Sequence, residues 1–206
     1  AEPPCLKNGF ITFGSFNNQP KINSECIRGW AEILHSIPRS RMILKNRQLG
    51  DRLAREHLVS LFKYRGIEEN RLELHGHLPA VQDHLGLYNR IDIALDTFPY
   101  NGTTTTCEAL WMNVPVVTLA GDRHAGRVGV SLLSNVGLPE CIAENTEGYV
   151  EKVARLAEDR KSLEGFRRQL RGMLKTSPLM DQWGFVESLE AAYRQMRESK
   201  LETLCY

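Results

Sequence analysis

The run Asn101-Gly102-Thr103-Thr104-Thr105-Thr106-Cys107-Glu108 stands between an apolar segment ending at Leu95 and a helical segment ending near Met112. Gly102 lets the backbone turn tightly. Threonine is β-branched and a poor helix former, and a single one would suffice as an N-cap. Four in succession at a helix start point to a further task. The first turn of a helix presents free N–H groups and about half a positive charge, which suits an anion. Adjacent hydroxyls add donors without bulk, so the natural ligand is a phosphate, and a diphosphate above all. Glu108, about one turn into the helix, either answers the helix dipole or accepts hydrogen bonds from a ribose diol.

Two other clusters carry chemistry. In Ser15-Phe16-Asn17-Asn18-Gln19-Pro20-Lys21 the single cation is Lys21. Beside a phosphate it would neutralise charge building on a leaving group; otherwise it is a solvated surface lysine. The segment His75-Gly76-His77, Pro79 and Asp83-His84 holds three histidines. His75 and His77 would share a face only if a strand ran through both, and Gly76 with Pro79 argues against a metal pair there. His84 is a candidate for stacking on a base, or else a surface histidine. His124 and Arg127 open a later helix; Arg127 would meet a phosphate or pair with a carboxylate.

Absent patterns narrow the chemistry. There is no GxGxxG, no GxxxxGK[ST], no DxD and no GxSxG. Phosphate handling therefore falls to a helix terminus and a lysine, with no metal ligand set and no cofactor expected.

The elements that must position these residues follow from periodicity. Short apolar runs at 10–13, 42–44, 72–74, 91–95, 115–119 and 141–143 read as strands. Helical patterns cover 23–36, 50–65, 80–89, 103–112 and 124–135, and three more close the chain at 146–158, 160–174 and 180–198. Ile27, Trp30, Ile33 and Leu34 share one face of the first helix; Leu53, His57, Leu58, Leu61 and Phe62 form the expected stripe of the second. The β-α alternation predicts an α/β fold: a Rossmann-like parallel sheet with helices on both faces and extra C-terminal helices. Such a sheet binds ligands at the carboxyl ends of its strands, where all three clusters fall. The mixed-sign stretch 151–175 reads as solvated helix surface. The expected partition is a linker at 1–8, a Rossmann-like ligand-binding lobe at 9–178, and a C-terminal helix and tail at 179–206.

Composition sets the outer bounds. The 206 residues carry 26 basic and 25 acidic side chains, a net charge of +1, which argues against a nucleic-acid partner. No apolar run nears the ~20 residues of a membrane helix, and the first residues lack a signal-peptide pattern. The five cysteines, at 5, 26, 107, 141 and 205, are odd in number and widely spaced. A reducing cytoplasm is the expected compartment.

The stretch from Asp92 through Asp96-Thr-Phe-Pro-Tyr-Asn-Gly-Thr-Thr-Thr-Thr-Cys-Glu108 to Trp111 resembles the C-terminal catalytic lobe of the O-GlcNAc transferase/SPINDLY family. So do Gly14-Ser-Phe-Asn-Asn-Gln-Pro-Lys21-Ile and the segment from Val114 through His124-Ala-Gly-Arg-Val-Gly-Val to Leu138. The resemblance covers roughly residues 8–198. It implies one lobe of a two-lobed GT-B enzyme that moves a sugar, with inversion and without a metal, to Ser or Thr of proteins. The partners it implies are a UDP- or GDP-sugar, a protein acceptor, the other catalytic lobe and tetratricopeptide repeats. By resemblance, Lys21 contacts the diphosphate and aids its departure; Thr103, Thr104 and Thr105 bind the phosphates; Glu108 holds the ribose; His84 lies against the base. Asn18 stands where animal O-GlcNAc transferases carry a glutamine near the phosphates. Thr103, Val81 and Leu87 replace a histidine, a lysine and an arginine of those enzymes. At Gly14-Ser-Phe-Asn-Asn18 and Gly102-Thr-Thr-Thr-Thr-Cys-Glu108 the chain looks closer to the plant SPINDLY branch, which uses GDP-fucose, so UDP-GlcNAc and GDP-fucose are both expected donors. A sugar-nucleotide 2-epimerase and a non-catalytic nucleotide-sugar-binding module are the alternatives the same lobe allows.

Overall fold

The computed structural model describes residues 2–204, so Cys205 and the end of the expected tail lie outside it. Six strands, β1 (Thr12–Ser15), β2 (Arg41–Lys45), β3 (Leu72–His75), β4 (Ile93–Leu95), β5 (Val116–Leu119) and β6 (Ile142–Ala143), form one sheet. Their order is β3-β2-β1-β4-β5-β6, and every neighbouring pair is parallel. The helices are α1 (Pro4–Asn8), α2 (Ser24–Ser36), α3 (Arg52–Tyr64), α4 (Val81–Leu87), α5 (Thr104–Trp111), α6 (Val128–Val136), α7 (Thr146–Glu158), α8 (Arg160–Thr176) and α9 (Gln182–Leu204). This is the Rossmann-like α/β fold that the alternation predicts. Strand order reverses between β1 and β4, so the loops after those two strands part there and leave a crevice.

Successive strand residues face opposite sides, and the core divides accordingly. Met42, Leu44, Ile93, Leu95 and Val117 pack with α2, α3 and α7. Ile43, Ala94 and Val116 pack with α5, α6 and α8 on the other face. Caps fix the helix starts: Asn23, Asp51, Asn145 and Asp159 each accept a backbone N–H from the first turn of α2, α3, α7 and α8.

Four expectations are corrected. The first strand runs over 12–15 rather than 10–13, because Gly14 belongs inside the sheet: a Cβ there would lie 2.1 Å from Ile91 Cδ1. The expected linker contains α1, whose Cys5 N–H donates to Asp92 Oδ1 at 2.9 Å while Thr12 N–H donates to Oδ2 at 2.8 Å. In α3 the buried stripe is Leu58 and Phe62, with Leu61 half-buried against the core; Leu53 is 64% exposed and His57 is exposed, because they share the solvated face that carries the Arg52–Glu56 pair. The charged stretch 151–175 is not solvated throughout. Arg167 is buried and donates to the carbonyls of Tyr88, Ile91 and Met112, tying α8 to the segments flanking β4 and α5.

The helix α9 meets the rest of the chain chiefly at the Pro178–Met180 turn and leaves Trp183, Phe185, Tyr193 and Met196 exposed. No described helix is long and apolar enough to cross a membrane.

Candidate functional site

The crevice is organised around Asp96, the first residue after β4. Its Oδ1 accepts from the N–H groups of Thr97 (2.8 Å) and Gly102 (2.6 Å), and its Oδ2 accepts from the Thr118 hydroxyl (2.7 Å). One carboxylate thus closes the 97–102 loop into a ring and ties it to β5. Burial pushes the Asp96 carboxyl up to about 6, against the pull of those hydrogen bonds and of Lys21. Asn101 repeats the device: Nδ2 donates to Thr97 O at 2.9 Å and Oδ1 accepts from Gly129 N at 3.2 Å. Space is tight here. A Cβ on Gly102 would lie 2.6 Å from Thr105 Oγ1, 2.9 Å from Thr106 Oγ1 and 3.0 Å from Asn17 Oδ1.

That ring delivers the start of α5. Thr103 is its N-cap residue and makes no side-chain cap hydrogen bond, and no acidic residue occupies the first turn. Thr103 and Thr104 are exposed, Thr105 is half-buried and Thr106 is buried. Thr105 Oγ1 donates to Asn17 Oδ1 at 3.0 Å, and Asn17 Nδ2 donates to Ser15 Oγ at 3.3 Å, so the β1 and β4 loops are joined. Of the four threonines, then, Thr103 and Thr104 present hydroxyls beside the first-turn N–H groups, Thr105 joins the two loops, and Thr106 is buried.

Lys21 ends a 3-10 turn, Gln19–Lys21, after β1. Its Nζ donates to Asn101 O at 2.7 Å and sits 3.9 Å from the centre of the Tyr100 ring. Burial lowers its pKa, and the Asp96 charge opposes that shift. The ammonium is therefore fixed one residue before Gly102, beside the opening of α5. Asn18 is exposed at the head of the same turn.

Glu108 and His84, read separately from the sequence, are bonded to each other. His84 Nε2 lies 2.9 Å from Glu108 Oε2, and a carboxylate oxygen only accepts, so His84 donates. Tyr88 joins them, its hydroxyl 3.3 Å from the same Oε2 and 3.2 Å from Thr105 O. The Tyr88 ring packs on Phe16 with centroids 4.4 Å apart, and His84 stands 6.0 Å from Phe16. Lys21, Thr105, Glu108 and His84 thus belong to one connected edge. His124 and Arg127 lie on an adjoining loop. Ala125 O accepts from Asn101 N at 2.9 Å, while exposed Arg127 donates to Gly121 O at 3.0 Å. His75 lies apart on β3, with Nε2 2.6 Å from Glu73 Oε1, and His77 is exposed.

Four site residues escape a sequence reading. Asp96 and Asn17 act through backbone and side-chain bonds that only the fold brings together. Tyr88 carries a signal, since His84 and Tyr88 are four apart and share a helical face. Lys45 closes β2 at the same carboxyl edge; burial lowers its pKa and the Glu108 charge opposes that. A cation ending an apolar run is the signal for it.

Residues 4–189 match the family model described as "Glycosyl transferase family 41". Among curated proteins, the probable UDP-N-acetylglucosamine--peptide N-acetylglucosaminyltransferase SPINDLY of Petunia hybrida is 46% identical over 193 residues, 94% of this chain and 21% of that protein. The chain therefore spans about a fifth of the length of the curated relatives it matches most strongly. Among solved structures, a mutant of the Thermobaculum terrenum O-GlcNAc transferase superposes with a TM-score of 0.88 at 42% identity, over 95% of this chain and 37% of that one. HepE from Anabaena, solved in complex with UDP and glucose, shares the fold alone, with a TM-score of 0.62 at 16% identity over 91% of this chain and 51% of that one.

Proposed function

The chain belongs to glycosyl transferase family 41, has the GT-B-like fold of its structural neighbours, and, we propose, is the donor-binding lobe of an inverting, metal-independent protein O-glycosyltransferase. The observation that carries this reading is the meeting of Lys21 with the opening of α5, through its bond to Asn101 O. Oriented N–H groups, the Thr103 and Thr104 hydroxyls and an ammonium converge on one place, the arrangement a diphosphate requires. When the sugar leaves, negative charge grows on the diphosphate. Lys21 and the helix start are already aimed at it, so little reorganisation opposes the step. This fixed positive potential is the basis for proposing a reaction without a metal. Glu108 accepts from the ribose hydroxyls and His84 lies against the base. Asn18, with His124 and Arg127 across the crevice, borders the phosphates and the sugar. The donor is UDP-GlcNAc or GDP-fucose, and the acceptor is Ser or Thr of a protein held in a cleft completed by a second lobe. This chain alone, lacking that lobe, is inactive in transfer.

The test uses the full-length protein with radiolabelled UDP-GlcNAc or GDP-fucose and a protein mixture. Label is expected on protein from one donor and to vanish with Lys21→Ala. Conversion of the free nucleotide sugar with no acceptor present would replace this reading by an epimerase. Donor binding without transfer or conversion would replace it by a binding module.

A further inference from the structure

One oxygen of Glu108 is fully used inside the protein. His84 Nε2 (2.9 Å) and the Tyr88 hydroxyl (3.3 Å) converge on Oε2. No described residue hydrogen-bonds Oε1, so its lone pairs are left to a donor from outside. The Glu108 side chain is 25% exposed and that of His84 is 16% exposed; His84 Nδ1 is buried without a partner, while Oε1 of Glu108 is not among the buried unpartnered atoms. Tyr88 lies beneath them, 2% exposed. Its hydroxyl has a second acceptor, Thr105 O at 3.2 Å, one helical turn before Glu108. A single phenolic proton thus ties the carboxylate to the backbone of the helix start, and Thr105 in turn donates to Asn17.

We propose that Tyr88 is a positioning residue for the ribose: it holds Glu108 Oε2 against the first turn of α5, so that Oε1 faces the sugar hydroxyls of a nucleoside diphosphate whose phosphates sit at Thr103 and Thr104. This rests on the donor-binding reading above and extends it to a residue that touches no ligand itself. The aromatic contact with Phe16 (4.4 Å) fixes the ring, and the ring fixes the hydroxyl. A glutamate has three rotatable bonds, so without Tyr88 only His84, itself mounted on the short α4, restrains the carboxylate. The role predicts selectivity for the ribose rather than for the base or the phosphates.

The experiment titrates this chain and its Tyr88→Phe variant, by calorimetry, with UDP, GDP and their 2′,3′-dideoxy counterparts. Phenylalanine keeps the ring packing and deletes only the hydroxyl, and equal far-ultraviolet circular dichroism checks the fold. The parent should prefer the ribonucleotide to its dideoxy form. In the variant, ribonucleotide affinity should fall about 3–10-fold and dideoxy affinity less than about 2-fold, the size of one lost hydrogen bond. On a Glu108→Ala background, Tyr88→Phe should cost nothing more, because its effect passes through that carboxylate. A variant that keeps the parent's ribose preference, or weakens both forms equally, overturns the assignment of Tyr88 while leaving the donor site standing. So does a parent with no ribose preference. A parent that binds neither UDP nor GDP overturns the donor-binding reading and the role of Tyr88 with it.

Discussion

The two ends of the sheet hold polar depressions of opposite kind. At the amino ends of β1, β2 and β3 lies a hollow of about 700 Å3 bordered by Lys7, Arg41, Arg71, Glu73 and Arg90. At the carboxyl ends of β1 and β4, the cleft between Asn17 and Thr105 encloses only about 10 Å3. Size alone would place the site at the amino end. The hydrogen bonds favour the proposed site at the carboxyl end. Arg71 donates to the carbonyls of Leu34, Ile37 and Ser40, and Arg90 forms a two-pronged pair with Glu73. The amino-end charges are largely spent closing off backbone and one another. At the carboxyl end the buried groups Asp96, Asn101 and Asn17 are satisfied by the loops and helix starts around them, and this leaves Thr103, Thr104 and Glu108 Oε1 free to act outward. A binding edge is marked by polar groups held from behind with their outer bonds unmade, not by volume.

Each end can be damaged separately. Arg71→Met removes donors from three carbonyls and should cost about 2–4 kcal/mol by urea unfolding. UDP and GDP affinity of the folded variant should not move; a fall in affinity would break the division between the ends. Next comes the pH response of Asp96. Its folded carboxyl is raised from 3.8 to about 6, so the folded state holds this proton where the unfolded state has released it. Its contribution to stability is therefore complete below pH 3.8 and declines as pH rises to about 6, by about 3 kcal/mol at most. The stability difference between the parent and Asp96→Asn should shift in favour of the variant across that window, as followed by thermal melts in matched buffers. A flat difference would remove Asp96 from the centre of the loop. The third change, Gly102→Ala, pushes a methyl into Thr105, Thr106 and Asn17. Overpacking should cost about 1–3 kcal/mol. Because the clash falls on the helix start itself, nucleotide affinity should also drop at least about tenfold, a double loss that no amino-end change should reproduce.

Much of this molecule is legible in its sequence because burial on both faces makes each strand an apolar run and each helix a stripe. Ile27, Trp30, Ile33 and Leu34 are buried as their spacing requires. The three polar clusters fall at the carboxyl edge because topology puts every post-strand loop there. What periodicity misses is what depends on contacts distant in sequence. Gly14 sits in a strand because Ile91 covers it. Arg167 looks like a solvated helix charge until α8 lands on the carbonyls of Tyr88, Ile91 and Met112. Leu53 has the spacing of a core residue but stays exposed beside the solvated Arg52–Glu56 pair. In the site, Lys21, the threonines, Glu108 and His84 are marked by residue type and by place. The His84–Glu108 bond spans 24 residues, and nothing local announces it.

The most direct test of the account pairs two double variants in one calorimetric titration with UDP and GDP: Lys21→Ala with Thr104→Ala at the carboxyl end, and Lys7→Ala with Arg41→Ala at the amino end. The account predicts that the parent binds at least one nucleoside diphosphate and that the carboxyl-end pair weakens it by at least about tenfold, about 1.4 kcal/mol or more, while the amino-end pair leaves it unchanged. Unaltered binding in the carboxyl-end pair, or a loss confined to the amino-end pair, would contradict it.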